Sequence, residues 1–183
     1  MHAELLQELF EELSPALVLY ARQWCDCPDD AVQETFIDLS NTVENPKCPK
    51  AWLFTTAKRK AINLTRSEVR RRRHHQQLNE QVTYQDHPDN WFRSNATSEL
   101  YSEDVIAGLD KMESSEREML VARIWGNLKY EQLAELFGCS TSSAHRRYIT
   151  ALSNLKAIMS SSEDSESTVS AQRSHTKTNE LEN

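Results

Sequence analysis

Apolar residues recur at spacings of three and four along most of the chain, the period of helices that bury one face. Leu6, Leu9, Phe10, Leu13, Leu17, Tyr20, Ala21 and Trp24 form one stripe, predicting a first helix over about 5–24. A break at 25–28 follows. Asp29 or Asp30 is expected to cap a second helix that turns Val32, Phe36 and Leu39 inward. Residues 41–49 contain two prolines and read as a loop. From Lys50 a third helix sets Trp52, Leu53, Thr56, Ile62 and Leu64 about its axis and runs into a cluster of arginines. Residues 76–100 are polar, weakly periodic and interrupted by Pro88, the pattern of a linker.

Periodicity returns after residue 102. Val105, Leu109 and Met112 make one apolar face, and Met119, Leu120, Ile124 and Trp125 another, before a turn at Gly126 and Asn127. The segment 128–155 then has the grammar of a helix-turn-helix. Leu133, Ala134 and Phe137 face inward on a short helix, and Gly138, Cys139 and Ser140 make a tight turn. A longer helix from near Thr141 buries Ala144, Tyr148, Ala151 or Leu152, and Leu155. Small Ala134 permits close approach of the two helices, and Gly138 tolerates the positive φ that such a turn demands. In that geometry the N-terminal part of the second helix enters the DNA major groove. Ser142, Ser143, His145, Arg146, Arg147 and Thr150 are the candidate DNA contacts there; arginine can pair bidentately with guanine, and hydroxyls can reach bases or phosphates. An ordinary helical hairpin with a solvated polar face is the alternative reading of this segment. After residue 160 the chain is rich in Ser, Thr and Glu without apolar period, and is expected to be disordered.

Composition supports an all-α chain: only 3 of 183 residues are glycine and 5 are proline, and no stretch alternates polar and apolar between turn signals. The expected organisation is two small helical domains, 1–75 and 102–159, joined by a flexible linker, 76–101, and followed by a disordered tail, 160–183. The net charge of −7 argues against coating DNA indiscriminately, but charge is segregated along the chain. Residues 1–50 are acidic. Lys58, Arg59, Lys60, Arg66, Arg70, Arg71, Arg72 and Arg73 then face only Glu68 in sequence. So dense a set of cations is stabilised by a polyanion such as the phosphate backbone.

No apolar run approaches the roughly 20 residues of a membrane span, and the acidic start lacks a signal-peptide pattern, so a cytoplasmic location is expected. Cys25, Cys27, Cys48 and Cys139 then read as reduced thiols. Cys25, Cys27 and Cys48 with His74 and His75 lack the paired spacing of a zinc site, and no metal or other cofactor is expected. Glycine-rich phosphate loops and paired catalytic groups are absent from the sequence, which points away from an enzyme.

Three motifs, in order, resemble bacterial RNA polymerase sigma factors of the extracytoplasmic-function type. Asp29-Asp30-Ala31-Val32-Gln33-Glu34-Thr35-Phe36 resembles the family's polymerase-binding helix. Pro49-Lys50-Ala51-Trp52-Leu53-Phe54-Thr55-Thr56-Ala57-Lys58 resembles the helix that handles the promoter minus-ten element, and the helix-turn-helix resembles the region that reads the minus-thirty-five element. The resemblance spans about 6–158 and implies a subunit that brings core polymerase to promoters and helps melt them. It implies that Asp30, Gln33 and Glu34 contact the β′ clamp of the polymerase and that the loop 41–49 captures an unstacked base. Lys58, Arg59, Lys60, Arg66, Arg70 and Arg71 would hold phosphates near the melted region. The partners implied are core polymerase through β′ and β, promoter DNA and an anti-sigma factor. Arg59, Asn63 and His145 depart from residues frequent in the family, and the first two make their helix more positive. A stand-alone helix-turn-helix regulator is the competing reading; it would bind DNA without polymerase, usually as a dimer. A polymerase-binding adaptor with no promoter-dependent transcription is another.

Overall fold

The computed structural model describes residues 3–43, 45–78 and 103–178, and every regular element among them is helical. Three helices form the first half: α1, Ala3–Ala21; α2, Pro28–Asn41; and α3, Pro49–Leu78. Four form the second: α4, Glu103–Asp110; α5, Ser114–Leu120; α6, Tyr130–Leu136; and α7, Thr141–Thr178. The linker expected over 76–101 lies outside the described residues, apart from the end of α3.

The stripe on α1 packs as its spacing predicts. Leu9, Leu13, Leu17 and Tyr20 are buried, while Phe10, at the edge of the stripe, stays half-exposed and meets Phe36 edge-on at 5.0 Å. Val32, Phe36 and Leu39 are buried from α2. The start of α2 differs from expectation. Cys27 occupies the cap position without a side-chain cap, and Pro28 begins the helix. Asp29 and Asp30 lie within its first turn, where carboxylates complement the helix dipole rather than cap it. On α3 the most deeply buried aromatic is Phe54, while Trp52 and Ile62 are only half-buried.

The apolar face expected from Met119, Leu120, Ile124 and Trp125 is also revised. α5 widens into a single π-helical turn, Val121–Trp125, in which the Gly126 amide donates to the Val121 carbonyl at 3.1 Å. The wider turn rotates the following residues, so Val121 and Ala122 are buried and Ile124 is 44% exposed. At the other end of the chain α7 is helical to Thr178, past residue 160, where composition predicted disorder. Once a helix is nucleated each added residue gains a hydrogen bond, so a polar sequence without prolines can continue it.

Thin separate cores would leave two domains of this size marginal. Here the halves pack together: Leu13, Leu17, Tyr20, Leu53 and Phe54 belong to the same continuous core as Leu120, Val121, Leu128 and Leu133. α6 lies against α3, and the π turn lies against α1. A Cβ built on Gly126 would stand 2.5 Å from the Phe54 ring, so only glycine permits this approach of the second half to the first.

Candidate nucleic-acid interface

The turn between α6 and α7 is built as the sequence predicts. Gly138 has φ of +60° with nothing near its Cβ position, so its role is conformational freedom. The Cys139 amide donates to the Ala134 carbonyl at 2.9 Å, closing α6. Ser140 then caps α7, its Oγ accepting from the Ser143 amide at 3.2 Å. Ala144, Ala151 and Leu155 are buried, which settles the choice between Ala151 and half-buried Leu152. This orientation leaves Ser142, His145, Arg146, Arg147 and Thr150 exposed on the opposite face, with Ser143 half-exposed. Arg146, Arg147 and Thr150 also line a cavity of about 600 Å³ whose other wall carries Glu113 and Glu116.

Beside this face, Tyr130 and Arg123 carry no signal in periodicity, whereas Tyr148 belongs to the inward stripe of α7. Tyr130, at the start of α6, meets the His145 ring edge-on at 4.9 Å and Tyr148 at 6.0 Å. The Arg123 guanidinium stacks over Tyr130 at 5.0 Å and Tyr148 at 5.9 Å. Its Nε is buried and without a hydrogen-bond partner among the described residues. Cation–π contact thus fixes an arginine next to α7, and no ion pair among the described residues neutralises it. Only the seven-residue spacing of Arg123 and Tyr130 could have hinted at this contact, and that spacing crosses a turn.

In the first half, Asp30 and Gln33 are exposed on α2 and Glu34 is half-exposed, so the three share an open acidic face. Part of that face meets the basic helix beside it. Lys60 Nζ lies 3.2 Å from Glu34 and 3.0 Å from Asp38, and Arg59 lies 3.6 Å from Asp38. Hydrogen bonding to Asp38 holds the Lys60 ammonium above its ordinary pKa, opposed by partial burial. Exposed pairs of this kind are worth about 0–1 kcal/mol, so they can exchange partners. Arg66, Arg70 and Arg73 are exposed along α3, whereas Arg71 and Arg72 pair with Glu68 at 3.3 and 3.0 Å.

Lys58 is placed differently. Its ammonium reaches both oxygens of Glu118, on α5, at 2.8 Å and lies 4.7 Å from the centre of the Trp24 ring. The Tyr20 hydroxyl donates to the same carboxylate at 3.1 Å. Burial holds the Tyr20 phenol well above its ordinary range, reinforced by the charge of Glu118 and by this hydrogen bond. Lys58 is therefore tied to the other half of the molecule rather than presented beside the arginines.

Among the described residues no cluster of Cys, His, Asp or Glu has the geometry to hold a metal ion; the side chains of His74 and His75 lie outside them. Burial pushes the Cys25 thiol up to about 11, which disfavours the thiolate a metal would need. No described helix is long and apolar enough to cross a membrane.

Residues 9–72 match the sequence family Sigma-70 region 2, which covers all of α2 and most of α1 and α3. The extracytoplasmic-function RNA polymerase sigma factor EcfG of Rhodopseudomonas palustris (strain TIE-1) is 30% identical over 141 residues, covering 73% of this chain and 72% of that protein. The chain is an extracytoplasmic-function sigma factor. The RNA polymerase sigma factor YlaC of Bacillus subtilis (strain 168) aligns over nearly the full length, at 24% identity, with 90% of this chain and 98% of that one covered. Two solved structures share the fold. One is the sigma factor RpoE in complex with the anti-sigma factor NepR from Bartonella quintana (TM-score 0.52, 24% identity, 87% of this chain and 98% of that one). The other is CnrH in complex with the cytosolic domain of CnrY (TM-score 0.55, 22% identity, 87% and 90%). As a sigma factor the chain binds core RNA polymerase, recognises promoter DNA and directs transcription initiation, which sets aside the stand-alone regulator.

Proposed function

We propose that this sigma factor divides its work between the two halves. The first half docks on the polymerase β′ clamp through Asp30, Gln33 and Glu34 of α2 and holds the minus-ten strand through α3. The second half reads the minus-thirty-five element through α7. The observation that carries this reading is the pairing of an open acidic face on α2 with an open basic face on α7, on one chain. An acidic docking face speeds encounter with a basic partner and keeps that surface off DNA. On α3 the exposed Arg66 and Arg70 are the strongest phosphate contacts. Arg71 and Arg59 can exchange their weak surface pairs for phosphate, while Lys60 is turned toward α2. On this reading the protein acts in the cytoplasm without catalytic groups or cofactor of its own, with the chemistry performed by the polymerase it delivers. An anti-sigma protein is a fitting regulator, since both structural relatives are held by a protein partner, one of them an anti-sigma factor.

Gln33→Ala combined with Glu34→Ala tests the docking face. Both side chains are at least half-exposed, so helicity and unfolding midpoint stay unchanged. Affinity for core polymerase falls about tenfold or more, as expected where interface side chains carry 1–2 kcal/mol. Undiminished co-purification with core polymerase would place the docking surface elsewhere.

Arg123 is assigned to a DNA phosphate flanking the minus-thirty-five element. Its stacking on Tyr130 and Tyr148 reduces the entropy lost on binding, because the guanidinium is already held in place. Arg123→Ala weakens binding about equally across sequences and makes the slope of log affinity against log salt shallower by about 0.9. A change in base preference with no change of slope would contradict a phosphate contact.

A further inference from the structure

The Glu118 carboxylate, 8% exposed, sits where the two halves meet, and its partners among the described residues come from the first half or its own helix: Lys58, Tyr20 and Ser114. We infer that Glu118 latches the free protein in a closed form that cannot span a promoter, and that the sigma factor must release Lys58 and Tyr20 from it to work.

Reach decides the first part. In this closed arrangement α6, the first helix of the DNA-reading motif, packs directly on α3, which carries the minus-ten contacts. Packed helices lie about 8–10 Å apart. Elements centred at minus ten and minus thirty-five are separated by about 25 base pairs, or about 85 Å at 3.4 Å per pair. The two helices cannot reach both elements while they touch. Residues 79–102 join the halves, and 24 residues reach about 80 Å when extended at about 3.3 Å each; with the width of the halves themselves added, chain length permits the separation of about 85 Å.

Chemistry decides the second part. A wholly apolar contact between the halves would favour permanent closure. Here the apolar patch around Phe54 and Gly126 is adjoined by an ammonium, a phenol and a carboxylate that water can solvate when the halves part. A buried ion pair returns little net stability relative to its solvated partners, yet losing one partner alone is strongly unfavourable. Such a contact specifies one register and remains reversible. Opening also frees the Lys58 ammonium beside Arg59 and Arg66 on α3, so the cation that holds the closed form becomes a phosphate contact in the open one.

The inference rests on the sigma-factor function, and two separate measurements keep them distinguishable. Small-angle X-ray scattering of the free, full-length chain reads closure. Wild type is compact. Glu118→Lys places two cations together and raises the radius of gyration, and combining it with Lys58→Glu restores the pair and the compact form with no change in net charge. Gly126→Val drives a side chain into the Phe54 ring and opens the chain without altering charge. If closed outweighs open by about 100:1, opening raises the free chain's apparent affinity for a duplex carrying both elements about 100-fold. Circular dichroism confirms retained helix in each variant. An extended wild type overturns closure. Opening by Gly126→Val but not by Glu118→Lys, or failure of the charge swap to restore compactness, overturns the latch. Promoter-dependent transcription by wild type with core polymerase tests the sigma function independently of all these outcomes.

Discussion

Phe54→Ala destabilises the protein by about 3–5 kcal/mol, the cost typical of emptying a large aromatic site in a core. Phe54 is fully buried, stands edge-on to Tyr20 at 4.9 Å, and its ring tip fills the space that Gly126 leaves open on the second half. The cavity cannot collapse easily, because helices from both halves wall it and each is held by its own packing. The loss therefore falls on both halves at once, and the cooperative unfolding transition broadens as they uncouple. Urea denaturation followed by far-ultraviolet circular dichroism checks this. A loss under about 1 kcal/mol would mean that Phe54 is peripheral and that the halves do not share a core.

Arg146→Ala has the largest expected effect on promoter choice. Arg146 is exposed on the second turn of α7, on the side opposite the buried Ala144 and Ala151. A bidentate contact from such an arginine to guanine is worth about 1–3 kcal/mol of discrimination. Its removal weakens selection of the minus-thirty-five element by that amount and relaxes preference at one base position, while Arg146→Lys recovers general affinity but not the preference. Sequencing promoters selected by polymerase carrying each variant reads both effects. An unchanged preference would move base recognition to Ser142, Ser143 or His145.

How much of this was legible beforehand depends on what each feature rests on. The helices of the first half and the turn at Gly138 follow from local rules: a stripe at spacings of three and four, and one residue able to take a positive φ. The order of three motifs identified the family, and the relatives agree with it. Ile124 was misplaced because one π turn shifts the helical register, which a fixed period of 3.6 cannot anticipate. Asp29 and Asp30 were expected as caps because carboxylates favour that position, but the helix starts at Pro28, two or three residues earlier than those caps would set, and leaves them inside it.

Larger differences arise from contacts between distant residues. Lys58 belongs to a basic run in sequence, and nothing in that run indicates that Glu118, 60 residues away, claims it. Glu34 and Lys60 were assigned to different partners, polymerase and DNA, yet they face each other across α2 and α3. The Arg123, Tyr130 and Tyr148 stack draws on three elements whose apolar patterns are independent. Sequence pattern reports which face of a helix is buried; it does not report which other face lies opposite.

Reconstituted transcription tests the central claim most directly. The purified chain is mixed with sigma-free core polymerase and a supercoiled genomic library, and RNA start sites are mapped with and without it. The account predicts start sites that depend on the protein and share two upstream motifs about 25 base pairs apart, the spacing set by the minus-ten and minus-thirty-five elements. Start sites identical in its absence, from a chain that nevertheless binds core polymerase, would contradict it and leave a polymerase-binding adaptor in its place.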